Sequence, residues 1–140
     1  EIRVCDTPLT IEQATSLAAL AQSLSRWLLR TRPPLHTDKQ AYVARYNKFQ
    51  ACRYGLEAMI SDPVALCQVP LKQSLTEMLD AVSEDAMELN CAHWLKPLKG
   101  MVAGNGGDAA WLRSRERQNG NLNDVVQEAS ERLMDNKARI

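Results

Sequence analysis

The densest run of chemistry-bearing groups in this 140-residue chain is Tyr46-Asn47-Lys48-Phe49-Gln50-Ala51-Cys52-Arg53-Tyr54-Gly55-Leu56-Glu57. At about 100° per residue, Tyr42, Tyr46, Phe49 and Leu56 share one narrow helical stripe, with Arg53 in its middle. An arginine among apolar neighbours either snorkels past them or meets an anion, because an unpaired buried guanidinium is costly. Its planar fork suits phosphate or carboxylate. Asn47 lies about 120° round the same helix, beside Val43 and Tyr54. Polar groups among apolar ones on two faces predict a helix covered on more than one side.

Two other stretches could do chemistry. Glu1-Ile2-Arg3-Val4-Cys5 alternates as a strand does, which puts Glu1, Arg3 and Cys5 on one face. On residue types alone, Glu1 and Arg3 form an ion pair on an exposed strand face. A lone strand is not stable, so its partners are expected in absent polypeptide or in another copy. Gly104-Asn105-Gly106-Gly107-Asp108 precedes a helix and invites comparison with a phosphate cradle. No Gly-Lys-Ser/Thr follows it, and Asp108 would repel phosphate. A plain turn with Asp108 as N-cap is the expectation.

The totals bound the function. Apolar residues make up 45% of the chain, as in an ordinary globular protein. Seventeen basic and seventeen acidic side chains cancel, so neither nucleic acid nor an anionic membrane has an electrostatic claim on it. No apolar run approaches the ~20 residues of a membrane span. Cys5, Cys52, Cys67 and Cys91 form no C-x-x-C pair and no zinc spacing with His36 or His93. They are expected as reduced, mostly buried thiols of a cytoplasmic protein. The chain opens without a start methionine, basic leader or cleavage site, and is expected to be cut from a longer protein.

These groups need elements to hold them. Thr10-Ile11-Glu12-Gln13 is a capping box opening a helix that runs to about Arg30. Its inward stripe is Ala14, Leu17, Ala21, Leu24 and Leu28, widened by Leu20 and Trp27, and Pro33-Pro34 stops it. Thr37 to Gln40 is a second capping box and opens the helix that carries Asn47 and Arg53, which Gly55 weakens without necessarily ending. Ser61-Asp62-Pro63 is a turn, and the loop to Pro70 carries little pattern. Leu71 to Leu89 reads as one amphipathic helix that Asn90 ends. Cys91 to Ala103 is helical, with Pro97 either starting or kinking it. Ala109 to Gln118 is a short helix with Arg113, Arg115 and Arg117 spread over a solvated surface. Asn121 caps the last helix, which points Leu122, Val125, Val126, Ala129 and Leu133 inward. The fold class is therefore mostly α: five or six packed helices with one N-terminal strand, in a single domain over residues 1–140.

The order of the pieces adds a resemblance. The opening Glu1-Ile2-Arg3-Val4-Cys5-Asp6-Thr7-Pro8, the stretch from Asn47 to Glu57 and the Gly104–Asp108 turn together resemble the C-terminal portion of the type 2 glutamate–cysteine ligases. These are also called carboxylate–amine ligases, and the bacterial YbdK-type members are the most similar. The resemblance covers essentially the whole chain. It implies the C-terminal part of a glutamine-synthetase-like α+β ligase fold. It also implies formation of an amide between the glutamate γ-carboxylate and cysteine or another amine, through a γ-glutamyl phosphate, with ATP and Mg2+. By resemblance Glu1 is a magnesium ligand and Arg3 holds the transferring phosphoryl group. A carboxylate is a proper hard-oxygen ligand for that ion, and an arginine two residues along a strand projects from the same face. Arg53 is then either a direct phosphate or substrate contact or a brace, and Asn47 is a support residue satisfying backbone groups. Gly107 stands where an alanine is common. The family's N-terminal part is absent, so the fragment alone is expected to be inactive. The alternative reading is a non-catalytic helical module that mediates interaction or homodimerisation.

Overall fold

The computed structural model describes residues 8–33, 38–104 and 107–135. The strand expected over residues 1–6, with Glu1 and Arg3, and the capping hydroxyl expected at Thr37 lie outside the described residues.

Thr10 starts helix α1 (Ile11–Thr31) as the sequence predicts, with its hydroxyl accepting from the Gln13 backbone N–H at 3.1 Å. The second half of the capping box differs. Gln13 accepts the Thr10 hydroxyl proton at Oε1 and sends its Nε2 to Asp108 instead. The deepest line on α1 is also not the aliphatic stripe. Ser16, Ala19 and Ser23 are buried, while Ala14 and Leu28 face water. Small residues let the neighbouring elements approach closely. Each serine hydroxyl donates to the carbonyl four residues back, Glu12 and Ala19 respectively, so its burial leaves no donor unpaired.

Helix α2 (Asp38–Tyr54) ends where Gly55 turns into the left-handed region at φ 60°. A single 3-10 turn, Gly55–Glu57, follows it. The segment expected as patternless loop then forms a hairpin of β1 (Met59–Ser61) and β2 (Gln68–Pro70). They pair antiparallel in the register Met59 with Pro70, Ile60 with Val69 and Ser61 with Gln68. Three-residue strands are too short to show alternation, which is why the sequence hides them.

The helix expected over 71–89 is two, α3 (Leu71–Ala81) and α4 (Ser83–Glu88), divided at the fully buried Val82. Asn90, at φ 54°, closes α4 with a Schellman pattern: its N–H reaches Met87 O and the Cys91 N–H reaches Ala86 O. A 3-10 turn, Ala92–Leu95, leads into α5 (Lys96–Ala103), so Pro97 starts a helix rather than kinking one. Helices α6 (Asp108–Asn119) and α7 (Leu122–Met134) pack on each other, and Asn121 caps α7 as predicted. The architecture is thus mostly helical, with seven helices among the described residues and one two-stranded sheet.

One apolar core joins α1, α3, α4 and α5. Ala19, Leu79, Val82, Ala86, Leu95 and Leu98 lie at its centre. Asp85, only 1% exposed, ties α1 to α4 by taking both Nε and Nη2 of Arg30 on its two oxygens. Arg26 adds a contact to Asp85 at 3.5 Å and a hydrogen bond to Glu88. Cysteine placement departs from expectation among the described residues, since Cys52 and Cys67 are exposed and Cys91 is buried, all three as free thiols. On α7 the correction is larger. Val125 is buried, but Leu122, Val126 and Leu133 are exposed, because α7 packs mainly on α6 and the described residues cover one side of it.

Candidate functional site

Helix α2 and the hairpin hold the two described site residues on different sides. Asn47 faces β1. Its Nδ2 donates to the Ser61 carbonyl and its Oδ1 accepts from the Ser61 N–H, both at 2.8 Å. In an antiparallel strand, the N–H and C=O of one residue point to the same edge. Asn47 therefore caps the outer edge of β1 as a neighbouring strand would. Asp62 closes the hairpin from the other end. Its carboxylate accepts from Val64 and Ala65, and its N–H donates to Cys67 O. Those backbone donors, Ala65 before Val64, hold the Asp62 carboxyl below its ordinary range. Across the base of the hairpin Lys72 bonds Glu57 at 2.6 Å. Gly55 supplies the left-handed bend that brings β1 back along α2.

Arg53 is on the open side. It is exposed, with its guanidinium carbon 5.6 Å from the ring centre of Tyr54. It forms no ion pair with any described residue. The aromatic stripe predicted to be covered is also open: Tyr42 is 77% exposed, Phe49 58% and Tyr46 39%. Over residues 40–54 of this helix only Gln40, Val43, Asn47, Gln50 and Ala51 are half-buried. The prediction of covering on more than one side is thus not met within the described residues, because the hairpin reaches one side only. Asn47 and Arg53 are not brought together.

The described end of the glycine turn, Gly107, leads straight into α6. Gly107, not Asp108, is the N-cap of α6. Asp108 instead accepts the Leu9 N–H at 3.0 Å and Gln13 Nε2 at 2.8 Å, fastening α6 to the start of α1. Arg132, 5% exposed, lies over Trp111 at 4.8 Å with Nη2 3.6 Å from Asp108 Oδ1. Its Nε and Nη1 are buried and have no hydrogen-bond partner among the described residues. Sequence reasoning missed this cluster, because arginine on a helix normally signals a solvated face. No group of three or more His, Cys, Asp or Glu among the described residues could hold a metal ion. No described helix is long and apolar enough to cross a membrane.

What the arrangement offers is a cation on a rigid helix, flanked by rings and free to meet an anion. Comparison with known proteins gives this a context. The family model described as glutamate–cysteine ligase family 2 matches residues 1–128. A protein of Dechloromonas aromatica (strain RCB), provisionally named glutamate–cysteine ligase 2, is 82% identical over 134 residues, covering 96% of this chain and 35% of its own. Proteins with the same provisional name from Verminephrobacter eiseniae (strain EF01-2) and Acidovorax sp. (strain JS42) are 41% and 42% identical over 133 residues, each covering 95% of this chain and 36% of theirs. The chain therefore spans about a third of the length of these relatives.

Proposed function

The chain belongs to glutamate–cysteine ligase family 2, and on that premise we propose that it is the C-terminal part of an ATP-dependent carboxylate–amine ligase. The reaction has two balanced steps. The γ-carboxylate of glutamate takes the terminal phosphoryl group of ATP and releases ADP. The amine of cysteine, or of another donor, then attacks the acyl carbon, loses a proton and expels phosphate. The observation that carries this reading is Arg53, an exposed guanidinium on a fixed helix with no ion pair among the described residues. Its planar fork matches phosphoryl or carboxylate oxygens and neutralises charge as it develops on them. Asn47 supports it by fixing α2 to the hairpin. Glu1 as a magnesium ligand and Arg3 as a second phosphoryl contact belong to the same proposal. Glu1 would supply one ligand, and the rest of the ion's shell and most of the nucleotide site would come from polypeptide outside this chain. The fragment by itself then has no ligase activity.

The test is ADP release by the full-length protein with glutamate plus cysteine and with other amines. Arg53→Ala is expected to lower kcat/KM by about 100-fold or more, with Arg53→Lys recovering part of it. Absence of turnover with every amine donor removes the ligase reading. The exposed Leu122, Val126 and Leu133 on α7 favour a second reading, a helical assembly module whose partner is another copy. Sedimentation of the full-length protein as a monomer at all concentrations rejects it.

A further inference from the structure

Among the described elements, helix α2 is the one in which exposed rings and uncompensated charge coincide. Tyr42, Tyr46, Phe49 and Arg53 fall within about 60° of arc, on the side the hairpin leaves open. At the observed exposures the three rings leave roughly 300–400 Å² of aromatic surface in water, as much as the largest patch on a typical monomer. Over residues 40–54 the same helix carries Arg45, Lys48 and Arg53 and no acidic side chain. The whole chain has no net charge, so this excess of base is local. A surface of that kind favours an apolar partner edged with carboxylates.

We infer that this face of α2 is an interface inside the full-length protein, covered by the polypeptide that makes up the other two thirds of the relatives. Three observations select that occupant. The relatives are nearly three times as long as the stretch this chain matches, so a large body of chain has to pack somewhere against it. The open side of α2 combines the exposed rings with the local positive charge, which an intramolecular partner can match with fixed carboxylates. The opposite side of α2 is already occupied by β1, clamped through Asn47, so the helix is held still and presents its open side in one orientation. The inference rests on family membership and chain length, not on the ligase reading.

Hydroxyl-radical footprinting of the unmodified full-length protein, resolved by peptide mass spectrometry, tests it without any substitution. Oxidation of Tyr42 and Phe49 is compared between the folded protein and the same protein in urea. The expected result is oxidation about tenfold slower in the folded protein. An uncovered face, with more than half of both rings exposed, gives no more than about twofold. Equal or nearly equal rates overturn the inference. Protection that disappears on dilution to monomer also overturns it, because a second copy is then the cover. Protection that appears only on adding magnesium and ATP overturns it in favour of a bound nucleotide. None of these readouts depends on turnover, so the interface and the ligase reading fail separately.

Discussion

At Asn47 one side chain supplies both a donor and an acceptor to the backbone of Ser61. An amide sets a donor and an acceptor side by side on separate atoms, which neither alanine nor aspartate does. Asn47→Ala leaves the half-buried Ser61 N–H and C=O without these partners and is expected to lower stability by about 1–3 kcal/mol in urea unfolding. Asn47→Asp keeps the acceptor for the N–H but sets a carboxylate oxygen against the Ser61 carbonyl, and is expected to be no better than alanine above its pKa. If both variants unfold with the parent midpoint, the clamp holds nothing. Arg53 shows the reverse situation. Its partner among the described residues is a neighbouring ring alone, so its removal should spare stability while affecting turnover.

The helix pair α1 and α4 is joined by a buried carboxylate rather than by apolar packing alone. The hydrogen bond from Arg30 holds the Asp85 carboxyl below its ordinary value of 3.8, against the opposing effect of burial, and the charges of Arg30 and Arg26 add to it. A carboxyl depressed in the folded state binds its proton more readily once unfolded. Its stabilising contribution is therefore complete above the unfolded value near 3.8 and is lost as the pH falls through the lower folded value. Asp85→Asn is expected to flatten the pH dependence of the thermal midpoint between about pH 5 and pH 2 and to lower the midpoint at neutral pH. An unchanged acid limb in that variant assigns the acid sensitivity elsewhere. The bend after α2 depends on Gly55 in the same way, at the level of an element. A Cβ there meets no atom within 4 Å, but the φ of 60° is left-handed. Gly55→Ala is expected to cost about 1–2 kcal/mol through the backbone alone.

Across the described residues, the core and the exposed faces lie on different parts. The core sits between α1, α3, α4 and α5, whereas the rings of α2 and the outer side of α7 contribute little to it. Leu79→Ala, at 2% exposure in the core, is expected to cost about 2–5 kcal/mol. Substituting Tyr42 with alanine in this chain should cost well under 1 kcal/mol, since an exposed ring loses little packing. A large loss at Tyr42 in the isolated chain would mean that the ring is already covered there.

Local rules made most of the helices legible. The hydroxyl at Thr10, the amide at Asn121, the proline at Pro97 and the glycine at Gly120 act through neighbours a few residues away, so their signals survive in the sequence. The family resemblance was legible for a related reason, because it rests on residue types in a fixed order, from Asn47 to Glu57 and on to Asp108. What depended on distant chain was not. The clamp of Asn47 on Ser61 spans 14 residues, and the tie from Asp108 to Leu9 spans 99. Which side of α2 and α7 is covered was equally hidden, because an amphipathic stripe says only that a face seeks cover. Tertiary structure alone decides whether a partner is there, and for α2 it puts the hairpin on one side and leaves the aromatic side open.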